Sequence, residues 1–80
     1  MARYFFHVYN GHGETHDEEG VEIEDHAGAR GMAVDSIRSI VAEEARDGLI
    51  DLTGHIDIAD LDGAIVFTTH FEEAFTMRLR

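Results

Sequence analysis

The residues best suited to chemistry in this chain are its histidines and acids, and they crowd toward its start. His12 and His16 stand four apart, and Asp17 follows directly. Imidazole and carboxylate are proper ligands for zinc, nickel or copper, so His12, His16 and Asp17 are the metal candidates. Their setting counts against them. Histidines at i and i+4 converge on one ion when a helix carries them, whereas Asn10-Gly11-His12-Gly13 is turn chemistry. Structural zinc also wants four ligands, usually with cysteine, and the chain has no cysteine. The expectation is a solvated loop with no metal and no cofactor.

Glu14 to Asp25 holds seven carboxylates in twelve residues. Calcium takes clustered oxygen ligands, but the calcium-hand spacing fails. Aligned on Asp60, Asp62 and Gly63, it places its first and last ligands at Ile58 and Thr69, neither of which has a carboxylate. A solvated, self-repelling acidic face is the simpler reading. No motif marks a nucleophile with its base; Ser36 and Ser39 sit within a helical pattern. Gly11-His12-Gly13 has only two of the three glycines of a phosphate-cradling loop, and the acids beyond it repel phosphate. Eighty residues leave little room for a water-excluding pocket of roughly 300 Å³. The chain is therefore expected not to be an enzyme.

Charge narrows the partners. Seventeen acids oppose six bases, all arginine, for a net charge of −11. Such a surface repels nucleic-acid backbones and anionic membranes. No stretch approaches the ~20 apolar residues of a membrane span. The N-terminus lacks the apolar region of a signal peptide. With no cysteine to staple a small secreted fold, a cytoplasmic location is expected.

The elements that must position these residues follow from periodicity. Tyr4 to Tyr9, dense in aromatic and β-branched residues, reads as a strand. A polar connection leads to Val21 and Ile23, which alternate with Glu22 and Glu24 as a short second strand. Asp25 is a helix N-cap and Gly48 a C-terminal stop. Ala29, Ala33, Ile37, Ile40 and Val41 line one side of the helix between them, about residues 27–47. Gly28 and Gly31 weaken its first turns by about 1 kcal/mol each, so regular helix is expected nearer Met32. His55 to Ile58 alternates as a strand, Asp60-Leu61-Asp62-Gly63 is a hairpin turn, and Ala64 to Thr69 returns. Phe75, Met77 and Leu79 alternate at the C-terminus as a candidate fifth strand. The fold class is α+β: a single domain over 1–80, in the order ββαββ, with an antiparallel sheet of two hairpins and one amphipathic helix on one face.

That architecture leaves a question about the second face. In the first strand Tyr4, Phe6 and Val8 point one way, while Phe5, His7 and Tyr9 point the other. Val66 in the return strand is expected to join the second set. One helix covers one face only, and aromatic patches rimmed by polar groups mark interfaces. Phe5, His7, Tyr9 and Val66 are thus the interaction candidates. Three occupants compete: the C-terminal segment with Phe71, Phe75, Met77 and Leu79, a second copy giving a homodimer, or another protein. The leading functional expectation is a non-enzymatic interaction domain. A metal- or small-ligand-binding domain using the loop histidines and acids is the alternative.

The opening Arg3-Tyr4-Phe5-Phe6-His7-Val8, the run Asp17-Glu18-Glu19-Gly20-Val21-Glu22, the alanine- and arginine-bearing helix and Asp62-Gly63 before an apolar strand resemble a domain-of-unknown-function family. Its members are short proteins common in alpha-proteobacteria. The chain departs from it in Asn10-Gly11-His12-Gly13 and in the glycines at the helix start. The resemblance implies no activity, cofactor or catalytic residue. A looser likeness to HicB-type antitoxin domains, through a hairpin followed by a helix, implies an antitoxin-like regulatory partner protein. The Pro-Gly-Cys segment usual there is absent.

Overall fold

The computed structural model describes residues 1–11 and 13–80. Its order is β1 (Ala2–Asn10), β2 (Gly13–Thr15), β3 (Val21–Ile23), α1 (His26–Arg46), β4 (His55–Ala59), β5 (Ile65–His70) and a 3-10 turn, Phe71–Ala74. The strands form one antiparallel sheet in the order β2-β1-β4-β5, with β3 also paired to β1. The α+β class and the placement of the helix between strand pairs are as read from the sequence.

The fifth strand is not where the C-terminal alternation placed it. The return arm of the first hairpin is split in two. β2 pairs the far half of β1 (Val8 with Thr15) and β3 the near half (Tyr4 with Val21). Between them the chain leaves the ladder, and Asp17 stands in for the missing rung. Its Oδ2 accepts the Phe6 N–H at 3.2 Å, and its Oδ1 accepts from Glu19 N–H at 3.2 Å and Gly20 N–H at 3.0 Å. The Asp17 N–H in turn donates to His7 Nδ1 at 3.1 Å. One short polar side chain thereby satisfies backbone groups that a continuous strand would have paired.

The core lies between the sheet and α1. Ala29, Ala33 and Ile37 are fully buried on the helix, with Val41 nearly so, and they meet Tyr4, Ile23, Ile56 and Ile58. Asp25 caps the helix, its Oδ1 accepting Gly28 N–H at 2.8 Å. The helix begins at His26, ahead of both glycines, because the cap and sheet packing outweigh their propensity. Gly28 has a packing role, since a Cβ there would lie 2.8 Å from Ile23 Cγ2.

After β5 the chain turns toward the helix. Phe71 donates its N–H to the Gly54 carbonyl at 2.9 Å and buries its ring completely. Arg38 Nε donates to the Ala74 carbonyl at 2.9 Å, and Phe75 packs beside the core. The C-terminal segment therefore completes the helix-side core and does not fold over the second face. Met77 and Leu79 are exposed, and residues 75–80 form no strand. Burial decides the outcome, because a Phe ring gains more from filling the gap beneath the helix than from a shallow sheet face.

Candidate interaction surface

Antiparallel register sorts side chains to faces, since directly paired residues share one. Phe5 pairs with Ala59, His7 with Asp57 and Tyr9 with His55 across β1 and β4; His55 pairs with His70 and Asp57 with Thr68 across β4 and β5. All lie opposite the helix. Glu14 pairs with Tyr9 and Glu22 with Arg3 on the same face. Three of the four interaction candidates, Phe5, His7 and Tyr9, thus share the open face. Val66 does not join them. A register irregularity at Ile58/Ala59 leaves Val66 unpaired and packed against the helix-side core, so Ile65 stands opposite Ala59 instead. The alternation argument missed this because a bulge inserts one residue and shifts the period of two.

Histidines dominate this face. His7 and His16 have ring centroids 4.7 Å apart, and His16 lies 6.2 Å from Tyr9. Tyr9 stacks on His55 at 4.8 Å with the planes 15° apart, and His55 lies 5.8 Å from His70. Four of the six histidines and one tyrosine therefore form a row across the sheet. His26 is on the other side, between Tyr4 and Phe67, where Arg30 also lies over the Phe67 ring. Sequence reading singled out His7 and Tyr9 but not His55 or His70, whose places in the row depend on strand pairing. The alternation of His55 and Asp57 with Ile56 and Ile58 was the available signal.

Acids are interleaved with the row. His16 Nε2 is 3.7 Å from Glu14, His55 Nε2 is 3.8 Å from Asp57, and Arg3 is 3.4 Å from Glu22. Thr68 donates its hydroxyl to Asp57 at 2.7 Å. Partial burial, with Glu14 and Asp57 nearby, raises the Tyr9 phenol above its ordinary value. Partial burial also pushes the Asp17 carboxyl up, but the Gly20, Phe6 and Glu19 N–H groups and the His7 ring outweigh it. The Asp17 pKa consequently lies below the usual aspartate value.

The face is partly sheltered at one end. Gly20, with φ +72°, lies so close over β1 that a Cβ would sit 2.9 Å from both the Phe5 ring and Arg3 Cγ. Phe5 is accordingly half-buried, and His7 and Tyr9 further along the strand are half-buried too.

The metal candidates do not assemble. His12 lies outside the described residues. Asp17 is engaged with backbone groups, and His16 turns to Glu14, His7 and Tyr9. Among the described residues no group of three histidines or acids is placed to hold an ion, and no helix is long and apolar enough to cross a membrane.

Among the described residues, fold and surface together define a one-helix, five-stranded antiparallel domain with an open, histidine-lined sheet face. The chain belongs to the family described as domain of unknown function DUF6894, whose model matches residues 3–72. That match includes the Arg3-Tyr4-Phe5-Phe6-His7 opening and most of the open face. No curated protein and no solved structure matches the chain.

Proposed function

We propose that this chain is a non-enzymatic interaction domain that self-associates through its open sheet face. The supporting observation is the row His7–His16–Tyr9–His55–His70 on a face that neither the helix nor the C-terminal segment covers. Its arginine, Arg3, stands at one end of the face beside Glu22, and Glu14 stands at the other. A two-fold axis across the strands would bring the Arg3 end of one copy over the Glu14 end of its partner. Interfaces of this kind are self-complementary. The domain is a slab of 42 × 25 × 16 Å, and its broad face has room for the roughly 800 Å² per partner that a stable dimer buries.

Light scattering on a size-exclusion column tests this reading. The chain is expected to run as a dimer at about 100 µM, within the micromolar range of modest interfaces. Tyr9→Asp and, separately, His55→Glu should shift it to monomer while circular dichroism stays native. A wild-type chain that is strictly monomeric at that concentration refutes the proposal, as does a dimer that both folded variants leave intact.

A further inference from the structure

We propose that the histidine row gates this self-association by pH, with mild acid tightening it. The inference rests on the open face being the contact surface and adds how that contact is regulated. Imidazole is the side chain whose charge changes between pH 5 and 8, and four of the six histidines stand together here.

The direction follows from the charges around the row. β1 contributes Arg3, β2 Glu14, the loop Asp17, β3 Glu22 and β4 Asp57. Thr68 and His70 are the polar contribution of β5. Beyond His70, Glu73 accepts the His70 N–H and meets Arg30 at 3.8 Å, so its charge is matched from the helix. With neutral imidazoles, one arginine opposes four carboxylates, a net of −3 for the face. His7 accepts the Asp17 N–H through the ring nitrogen that an added proton would occupy, so the count takes His16, His55 and His70, and three added protons make it 0. Two copies brought together carry the same charge, so their repulsion scales with its square and is removed. Full protonation of the six histidines moves the whole chain the same way, from −11 to −5.

The size of the effect can be bounded. About nine unit-charge repulsions are relieved across a separation of ~10 Å in water, each screened over about one Debye length at 0.1 M salt. This amounts to about tenfold in dimer affinity. At 1 M salt, where the Debye length is ~3 Å, less than about twofold should remain.

Sedimentation equilibrium of the intact chain at pH 8.0 and pH 5.5, at 0.1 M and 1 M salt, reads this directly. The dimer dissociation constant should fall about tenfold on acidification at low salt and stay nearly flat at high salt. A variant with His7 changed to asparagine and His16, His55 and His70 to glutamine should dimerise with no pH dependence, since the asparagine Oδ1 takes the place of His7 Nδ1 and can still accept the Asp17 N–H. If that variant does not fold, the one retaining His7, whose Nδ1 accepts the Asp17 N–H, should likewise dimerise with no pH dependence. A wild-type dimer indifferent to pH, or one that weakens in acid, overturns the gating and leaves the contact surface standing. Tightening that persists in the quadruple variant overturns the row as its source. A strict monomer at both pH values overturns gating and contact surface together.

Discussion

Asp17→Ala is the substitution that most directly tests how the open face is held. The side chain accepts three backbone N–H groups, at 3.2 Å from Phe6, 3.2 Å from Glu19 and 3.0 Å from Gly20. The Glu19 bond is exposed, so water replaces most of its worth. The Phe6 N–H is part-buried on the central strand of the sheet and loses its partner outright, at a cost of about 1–2 kcal/mol. With the loop bonds the total is roughly 2 kcal/mol, or a fall in Tm of roughly 8–16 °C for a domain of this size. Asp17→Asn retains an acceptor oxygen and should lose about half as much. The pH dependence has a definite sign. Because the folded Asp17 pKa lies below its unfolded value of 3.8, its contribution is fully present above that value and is lost as pH falls through the folded pKa. Urea unfolding at pH 7 and at pH 3 measures both. The difference in stability between wild type and Asp17→Ala should be smaller at pH 3. A change below about 0.5 kcal/mol at pH 7, the range of ordinary surface substitutions, would refute the view that this carboxylate replaces a rung of the ladder.

Three further substitutions probe the helix and the core. Gly31 has open space around it, so Gly31→Ala should stabilise by about 1 kcal/mol through helix propensity; Gly28→Ala offers the same gain but drives a Cβ to 2.8 Å from Ile23 and should destabilise. Equal effects in thermal melts would contradict the packing role of Gly28. Thr69 is buried and its hydroxyl has no hydrogen-bond partner among the described residues, so Thr69→Val should stabilise by about 1 kcal/mol in urea unfolding. A loss of stability there would mean that the hydroxyl is satisfied after all.

Local information determined most of the elements. Asp25 and Gly48 bracket the helix because a short acceptor and a glycine at φ +91° do at its ends what few other residues can. Ala29, Ala33, Ile37 and Val41 reveal its buried side through spacing alone. Phe5, His7 and Tyr9 are assigned to one face by the period of two along a single strand. Tertiary structure decided what periodicity cannot carry. The bulge at Val66 depends on how β5 meets β4. The split of β2 from β3 depends on Asp17 reaching Phe6, eleven residues away. Phe71 goes beneath the helix because a gap there matches its ring. His7, His16, His55 and His70 are scattered along the chain and become one row only when three strands and a loop align. Alternation tells which side a residue faces only along an unbroken strand; pairing determines where the alternation breaks, as at Val66, and which neighbours each residue meets.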